Sequence, residues 1–321
     1  MDKPNVIVIC GPTASGKTKL GIELAKKING EIVSCDSMQI YKDMTIGTAK
    51  PRPEEMQGIK HYLIDFVSPE KRYSVAEFKK DAILAIEEIL SKNKKPILVG
   101  GTGLYIDSLI YGIEYNEIKV DEKYRKELEQ EIEKKGLEVL YNKAKKIDEE
   151  AMKKISINDK KRIMRVLEIY KSTGKTKTEL ERESRKNGVK YNFKTYAINM
   201  DREILYDRIN KRVDLMIENG LVQEVKDLLK KYSNFPTAMQ GLGYKEVVEY
   251  LNGEVKFEEM CDNIKMQTRR YAKRQLTWFR KNKETIWLDG TEEIQNNINI
   301  ILEGINWKIK VKIMESIIKY L

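Results

Sequence analysis

Val6-Ile-Val-Ile-Cys10, then Gly11-Pro-Thr-Ala-Ser-Gly-Lys-Thr18, then Leu20, Ile22, Leu24, Ala25 and Ile28 at helical spacing decide the fold class. The β-branched run reads as a buried strand and the spaced apolar residues as one face of a helix. The loop between them fits GxxxxGK(S/T), with the flanking strand and helix that this pattern requires. Such a loop turns successive backbone N–H groups toward a phosphate and adds the helix N-terminus. It also places Lys17 on phosphate oxygen and Thr18 on Mg2+. Gly11, Pro12, Thr13, Ala14, Ser15, Gly16, Lys17 and Thr18 are therefore the expected phosphate cradle.

Working outward, Glu31-Ile-Val-Ser-Cys35 reads as a second strand ending at Asp36, and a helix is expected over 75–91. Pro96-Ile-Leu-Val99 is a further buried strand that runs into Gly100-Gly-Thr-Gly103. Strands alternating with helices argue for a parallel sheet covered on both faces. The texture then changes. From 119 to 190 there are 22 Lys and Arg against 15 Asp and Glu, and helices are expected near 121–135, 137–154 and 159–172. Thr195-Tyr-Ala-Ile-Asn-Met200 reads as a strand returning to the core. Helices follow over about 202–231, 243–252 and 257–283, and Thr285-Ile-Trp-Leu288 reads as the last strand. The expected architecture is α/β, a core like that of P-loop NTPases built from 1–114 and 195–321, with a helical insertion over 115–194. In 304–321, alternation at Ile305, Trp307, Ile309, Val311 and Ile313 favours a strand, whereas Ile313, Ile317, Ile318 and Leu321 suit a helix.

Composition narrows the chemistry. The chain has 321 residues and a net charge of +10, and the basic excess is spread rather than gathered in a tail. That suits a folded protein that meets a polyanion. Cys10, Cys35 and Cys261 lie far apart without metal-ligand spacing, and His61 is the only histidine. A disulfide scaffold, a structural zinc site and a histidine-dependent triad are thereby excluded as expectations. No apolar run approaches the ~20 residues that span a bilayer. The expectation is a cytoplasmic chain with no membrane partner.

Three candidate groups remain. Asp36 lies at the carboxyl end of the second strand, the edge where ligands bind in a parallel sheet. It reads either as a general base beside the phosphate or as a residue that turns the chain. Thr102 has the same address on another strand, and an ordinary turn threonine is the alternative. The strand before Gly100 ends without the acidic residue that a nucleotide hydrolase uses to reach its metal, so the loop suits a diphosphate that is not part of ATP. Over 261–283 there are eight Lys and Arg and one Asp. Arg269, Lys273 and Arg280 form one row and Arg270, Arg274 and Lys281 a second, either a solvated face or a phosphate-backbone surface.

The strings GPTASGKT (11–18), DSMQIYKDMTIGTAKP (36–51), GGTGLY (100–105), NDKKRIMRVLEIY (158–170), GLGYKE (241–246) and AKRQLTWFR (272–280) together resemble one family, the tRNA dimethylallyltransferases. The resemblance covers about residues 5–290. It implies transfer of a dimethylallyl group from dimethylallyl diphosphate to the exocyclic N6 amine of the adenosine just 3′ of the anticodon, with release of diphosphate. It implies Asp36 as base, Thr102 near the reacting ends, Arg212 on the diphosphate with Arg208 assisting, and Mg2+ at Thr18. As contacts to the tRNA anticodon stem-loop it implies Asp36, Ser37, Met38, Gln39, Thr102, Arg125, Lys161, Arg162, Ile163, Met164 and Arg165. The same holds for Gln240, Gly241, Leu242, Gly243, Tyr244, Lys245, Lys273, Arg274 and Arg280. A monomer is the family expectation. The competing readings are a P-loop small-molecule or nucleoside kinase, and an RNA-binding module without catalysis.

Overall fold

The computed structural model describes residues 3–114, 121–185 and 188–305. Their elements run β1 (Asn5–Cys10), α1 (Lys17–Ile28), β2 (Gly30–Ser34), α2 (Pro53–Met56), β3 (His61–Tyr62), α3 (Val75–Ser91), β4 (Lys95–Gly100) and α4 (Gly103–Ile110). Then come α5 (Glu122–Lys135), α6 (Leu137–Ile147), α7 (Glu149–Met152), α8 (Lys160–Thr173), α9 (Lys177–Arg185) and β5 (Asn192–Asn199). The chain continues through α10 (Arg202–Glu218), α11 (Leu221–Lys231), a 3-10 turn (Ala238–Gln240), α12 (Tyr244–Leu251), α13 (Phe257–Phe279) and β6 (Ile286–Asp289). Residues 294–305 are again helical.

The strands form one parallel six-stranded sheet in the order β3-β2-β4-β1-β5-β6. β1 pairs Ile7 with Ile97 and Val8 with Leu98 on one side, and Ile7 with Lys194 on the other, so it lies inside the sheet. That placement explains its unbroken apolar run: both faces are covered, and Val6 to Cys10 are all buried. Ile7, Ile9, Leu24, Ile32, Ile97 and Tyr196 share one core with Leu205 and Ile209 of α10 and Ala272 of α13. A second core gathers Ile40, Tyr41 and Met44 under Leu221, Val225, Tyr244 and Ile264. The loop after β2 is thus anchored by the late helices. No helix among the described residues is long and apolar enough to cross a membrane.

The chain divides into two compact units, one of residues up to Ile106 and from Tyr191 onward, the other Asp107–Lys190. The second unit starts earlier than the expected 115 because packing, not composition, sets the limit. A Cβ on Gly112 would lie 3.0 Å from the Gly188 carbonyl oxygen, so the segment before 115 already packs within that unit. Its core is Leu128, Leu140, Ala144, Met152, Ile163, Met164 and Leu167. The helix expected over 137–154 is broken at Asp148, whose Oδ1 caps the Ala151 amide at 3.0 Å. Likewise 202–231 splits at Gly220, which sits at φ 94°. β3 has only two residues and no pattern of its own, which is why the sequence hid it. Expectations for residues 306–321 lie outside the described residues.

Candidate active site

The carboxyl ends of β1, β2 and β4 are neighbours in the sheet, so the loops that follow them meet at one edge. After β1 the chain turns sharply. Ala14 takes φ 62° and Gly16 φ 87°, and Gly16 is the left-handed N-cap of α1. The first α1 amides are consequently left open at a positively polarised helix end. Lys17 folds back to donate its ammonium to the Pro12 carbonyl at 3.2 Å. Ser15 is buried, and its hydroxyl has no hydrogen-bond partner among the described residues.

Lys17, Thr18, Asp36 and Gln39 line a single cavity with Ser34, His61 and Gly100. Asp36 performs the structural duty as well as facing this cavity: its Oδ1 accepts from the Met38 amide at 2.9 Å and the Gln39 amide at 3.3 Å. The turn-forming reading and the functional one therefore coexist. Gln39 is held by two donations from Nε2, to the Thr48 and Ala49 carbonyls at 3.2 Å each. The 45–47 turn beneath it is fixed by Glu224, which accepts from the Thr45, Ile46 and Gly47 amides.

Thr102 joins the β2 and β4 loops. Its amide donates to the Cys35 carbonyl at 3.1 Å, its hydroxyl oxygen accepts from the Ser37 amide at 3.0 Å, and the hydroxyl donates to Ser37 Oγ at 3.3 Å. Gly100 permits that closeness, since a Cβ there would fall 2.2 Å from the Cys35 carbonyl oxygen. Gly101-Thr102-Gly103, directly after β4, contains no acidic residue.

The electrostatics are uneven. Desolvation pulls the Lys17 ammonium down to about 8, the Asp36 carboxylate opposes this, and the Arg212 guanidinium adds to it. Arg212, on α10, is also lowered, first by burial, with Asp36 and Glu55 opposing; its Nε is buried without a hydrogen-bond partner among the described residues. Lys17, Arg212 and Asp36 thus feel one another, yet none of the three forms an ion pair among the described residues. Arg208 does not share this position: its Nη1 donates to the Gly290 carbonyl at 3.2 Å, at the end of β6.

Three residues entered the site without warning from the sequence. His61 Nδ1 donates to the Ile59 carbonyl at 2.8 Å, which leaves Nε2 as a buried acceptor without a partner among the described residues. Burial lowers its pKa. The Tyr271 phenol is pushed up to about 12 by burial first and by the Asp36 carboxylate second, with Thr102, Arg274 and Gln275 opposing. Gln275 accepts from the Thr13 amide and donates to the Gly101 carbonyl, both at 2.9 Å. The only available signal for the last two was the i, i+4 spacing that puts both on the inner side of a helix otherwise marked by its charges.

The expected RNA contacts divide by burial. Lys273, Arg274 and Arg280 are exposed on α13, with the Arg274 guanidinium 5.6 Å from the Tyr271 ring. Arg269 instead donates to Asn210 at 2.6 Å. Gln240 and Lys245 are exposed, but Gly241 and Gly243 are buried and Leu242 half-buried. Tyr244 is 0 % exposed, its hydroxyl donating to Glu224 at 2.6 Å, so it is a core residue rather than an RNA contact. Met38 packs on Gly241, where a Cβ would lie 2.4 Å from its methyl carbon. Within the second unit, Lys161 and Arg162 are exposed, whereas Ile163 and Met164 point into the core at helical period and are unavailable. Arg125 and Arg165 converge on buried Glu168 at 3.0 and 3.5 Å.

Comparison with known proteins gives one answer. A model of the family described as IPP transferase matches residues 39–282. A tRNA dimethylallyltransferase of Acetivibrio thermocellus is 56% identical over 304 residues, 93% of this chain and 97% of that one. One from Thermoanaerobacter sp. is 48% identical, covering 93% and 98%. The full-length tRNA isopentenylpyrophosphate transferase of Bacillus halodurans superposes with a TM-score of 0.73 at 42% identity, over 99% of this chain and 100% of that chain. A eukaryotic dimethylallyltransferase acting on tRNA gives a TM-score of 0.76 at 34% identity, over 94% and 80%.

Proposed function

Since the chain belongs to the IPP transferase family, it transfers a dimethylallyl group to tRNA, and we propose the identity of the donor, the acceptor atom and the residues that act on them. The donor is dimethylallyl diphosphate, the acceptor is N6 of the adenosine 3′ of the anticodon, and diphosphate is the leaving group. The observation that carries this reading is the cavity that Lys17, Thr18 and Asp36 line together, beside two cations lowered by burial, Lys17 and Arg212, in no ion pair among the described residues. Two such charges are unfavourable together until an anion enters between them.

The chemistry follows from the groups at the sheet edge. An adenine amine is a weak nucleophile because its lone pair is delocalised into the ring. As its nitrogen bonds the allylic carbon, the carbon–oxygen bond to diphosphate breaks and the N6 proton passes to the Asp36 carboxylate, a general-base step worth about 10²–10⁴-fold. Asp36 Oδ1 already takes two amide hydrogen bonds, so the carboxylate is oriented before substrate arrives. Lys17, Arg212 and the open amides at the start of α1 receive the charge that develops on the diphosphate. Thr102, locked to Ser37, holds the base-side wall.

Mg2+ fits the donor set in a limited way. Thr18 and Asp36 line the same cavity, and among the described residues no trio of His, Cys, Asp or Glu is gathered that could hold a metal ion. That suits an ion that draws most of its ligands from water and substrate phosphate. Thr18 would hold it, and it would neutralise the leaving group. The base must leave its stack to be reached, at about a few kcal/mol. The exposed cations of α13 and of α8 are the proposed RNA backbone contacts. As the family resemblance implies, we take it as a monomer acting in the cytoplasm.

The test is donor binding. Lys17→Met and Arg212→Met should each weaken dimethylallyl diphosphate binding by about tenfold to a hundredfold in calorimetry, the size of a lost charge-assisted hydrogen bond. Unchanged affinity in both would remove the diphosphate from this cavity.

A further inference from the structure

α13 touches the site by its buried side while presenting cations on its exposed side. Ala272, Gln275 and Phe279 are buried, and Lys273, Arg274, Thr277 and Arg280 are exposed. Gln275, 6 % exposed, is the one polar side chain on that inner face that reaches both loops of the cradle. Its carbonyl oxygen takes the Thr13 amide of the phosphate loop, and its amide nitrogen gives to the Gly101 carbonyl beside Thr102, each at 2.9 Å. Neither loop is in regular structure at those atoms, so neither bond is supplied by a strand or helix ladder. The site is also cut to fit it. A Cβ on Gly101 would stand 2.3 Å from Gln275 Nε2, and one turn on, a Cβ on Gly103 would stand 2.3 Å from the Trp278 ring. Two glycines therefore give way to one helix face.

We propose that Gln275 is a positioning residue for the transfer: it fixes the spacing between the phosphate loop and the Thr102 edge, and so between leaving group and nucleobase. The inference rests on the donor and site assigned above. Thr13 N–H is spent on Gln275 and Ser15 N–H on the Pro12 carbonyl at 3.4 Å, so both orient the loop rather than bind phosphate, and the amides at the start of α1 are left for the diphosphate. A full complement of Gln275 bonds costs nothing at the moment of reaction because the geometry is already set.

Gln275→Met keeps the length and volume and removes both bonds. In the full chain it should raise the KM for dimethylallyl diphosphate and the Kd for inorganic diphosphate about five- to tenfold, the effect of losing one or two neutral hydrogen bonds, and lower the single-turnover rate. The tRNA Kd should stay within about twofold, because no exposed cation is altered. Diphosphate affinity equal to the parent's, or tRNA and diphosphate affinities falling in step, would make Gln275 a packing residue only. A second measurement needs no variant: in hydrogen exchange of the parent, the Thr13 amide should be protected before diphosphate is added and gain nothing from it. Protection of Thr13 that appears only with diphosphate would overturn the assignment. A parent chain that transfers no dimethylallyl group would instead defeat the underlying reading, whatever Gln275→Met does.

Discussion

Asp36 serves both as the turn that ends β2 and as the carboxylate facing the cavity, and substitutions can separate the two duties. Asp36→Asn keeps an oxygen for the Met38 and Gln39 amides but cannot take a proton. Its single-turnover rate should fall by about 10²-fold or more with tRNA affinity little changed; an unaltered rate would take the base role from Asp36. Lys17 gives a pH signature. Its ammonium titrates near 8 in the free protein against an ordinary value of 10.5, so inorganic diphosphate binding should weaken as pH rises through about 8. Between those two values the unfolded chain holds the extra proton, and thermal stability should rise with pH over the same window. Lys17→Met should abolish both trends, and persistence of either would assign it to another group. The sequence disclosed Lys17 because it opens α1 in the GxxxxGKT loop, and Asp36 and Thr102 because they follow the ends of β2 and β4. It disclosed Gln275, Tyr271 and His61 poorly: Gln275 bonds to Thr13, 262 positions away, and Tyr271 and His61 meet the site through neighbours that no local spacing encodes.

At the scale of elements, α13 shows how far patterning reaches. The two rows of cations were legible as rows, but burial assigns them different work: Arg269 ties α13 to α10 through Asn210, while Lys273, Arg274 and Arg280 remain open. Lys273→Ala with Arg274→Ala should flatten the salt dependence of tRNA binding by about one counterion per lost contact. A slope equal to the parent's would move the RNA surface off this helix. α8 makes the complementary point. Lys161 to Arg165 matched a family string, yet the 3.6-residue period turns Ile163 and Met164 inward, and Glu168, 2 % exposed, gathers Arg125 and Arg165 from the surface. Arg125→Met should destabilise the chain on the order of 1–3 kcal/mol by stranding part of the Glu168 charge, and adding Glu168→Leu should restore much of it in thermal melts. Additive losses would show that the pair is not coupled.

Taken whole, the molecule places a phosphate loop, a carboxylate and a hydroxyl at the ends of three adjacent parallel strands, and it uses helices from the other end of the chain to hold them. A parallel sheet was implicit in the alternation of strand and helix, whereas its order, with the two-residue β3 at one edge, was not. The limits of the second unit were not, because they depend on which segments pack together rather than on where charge density changes. The kinase reading and the prenyl-transfer reading share the cradle and differ in what occupies it. Incubating the purified chain with unmodified tRNA and labelled dimethylallyl diphosphate, with and without ATP, separates them most directly. Label should appear in tRNA, on N6 of the adenosine 3′ of the anticodon, at a rate indifferent to ATP. Absence of label together with ATP-dependent phosphorylation of an acceptor would contradict that assignment.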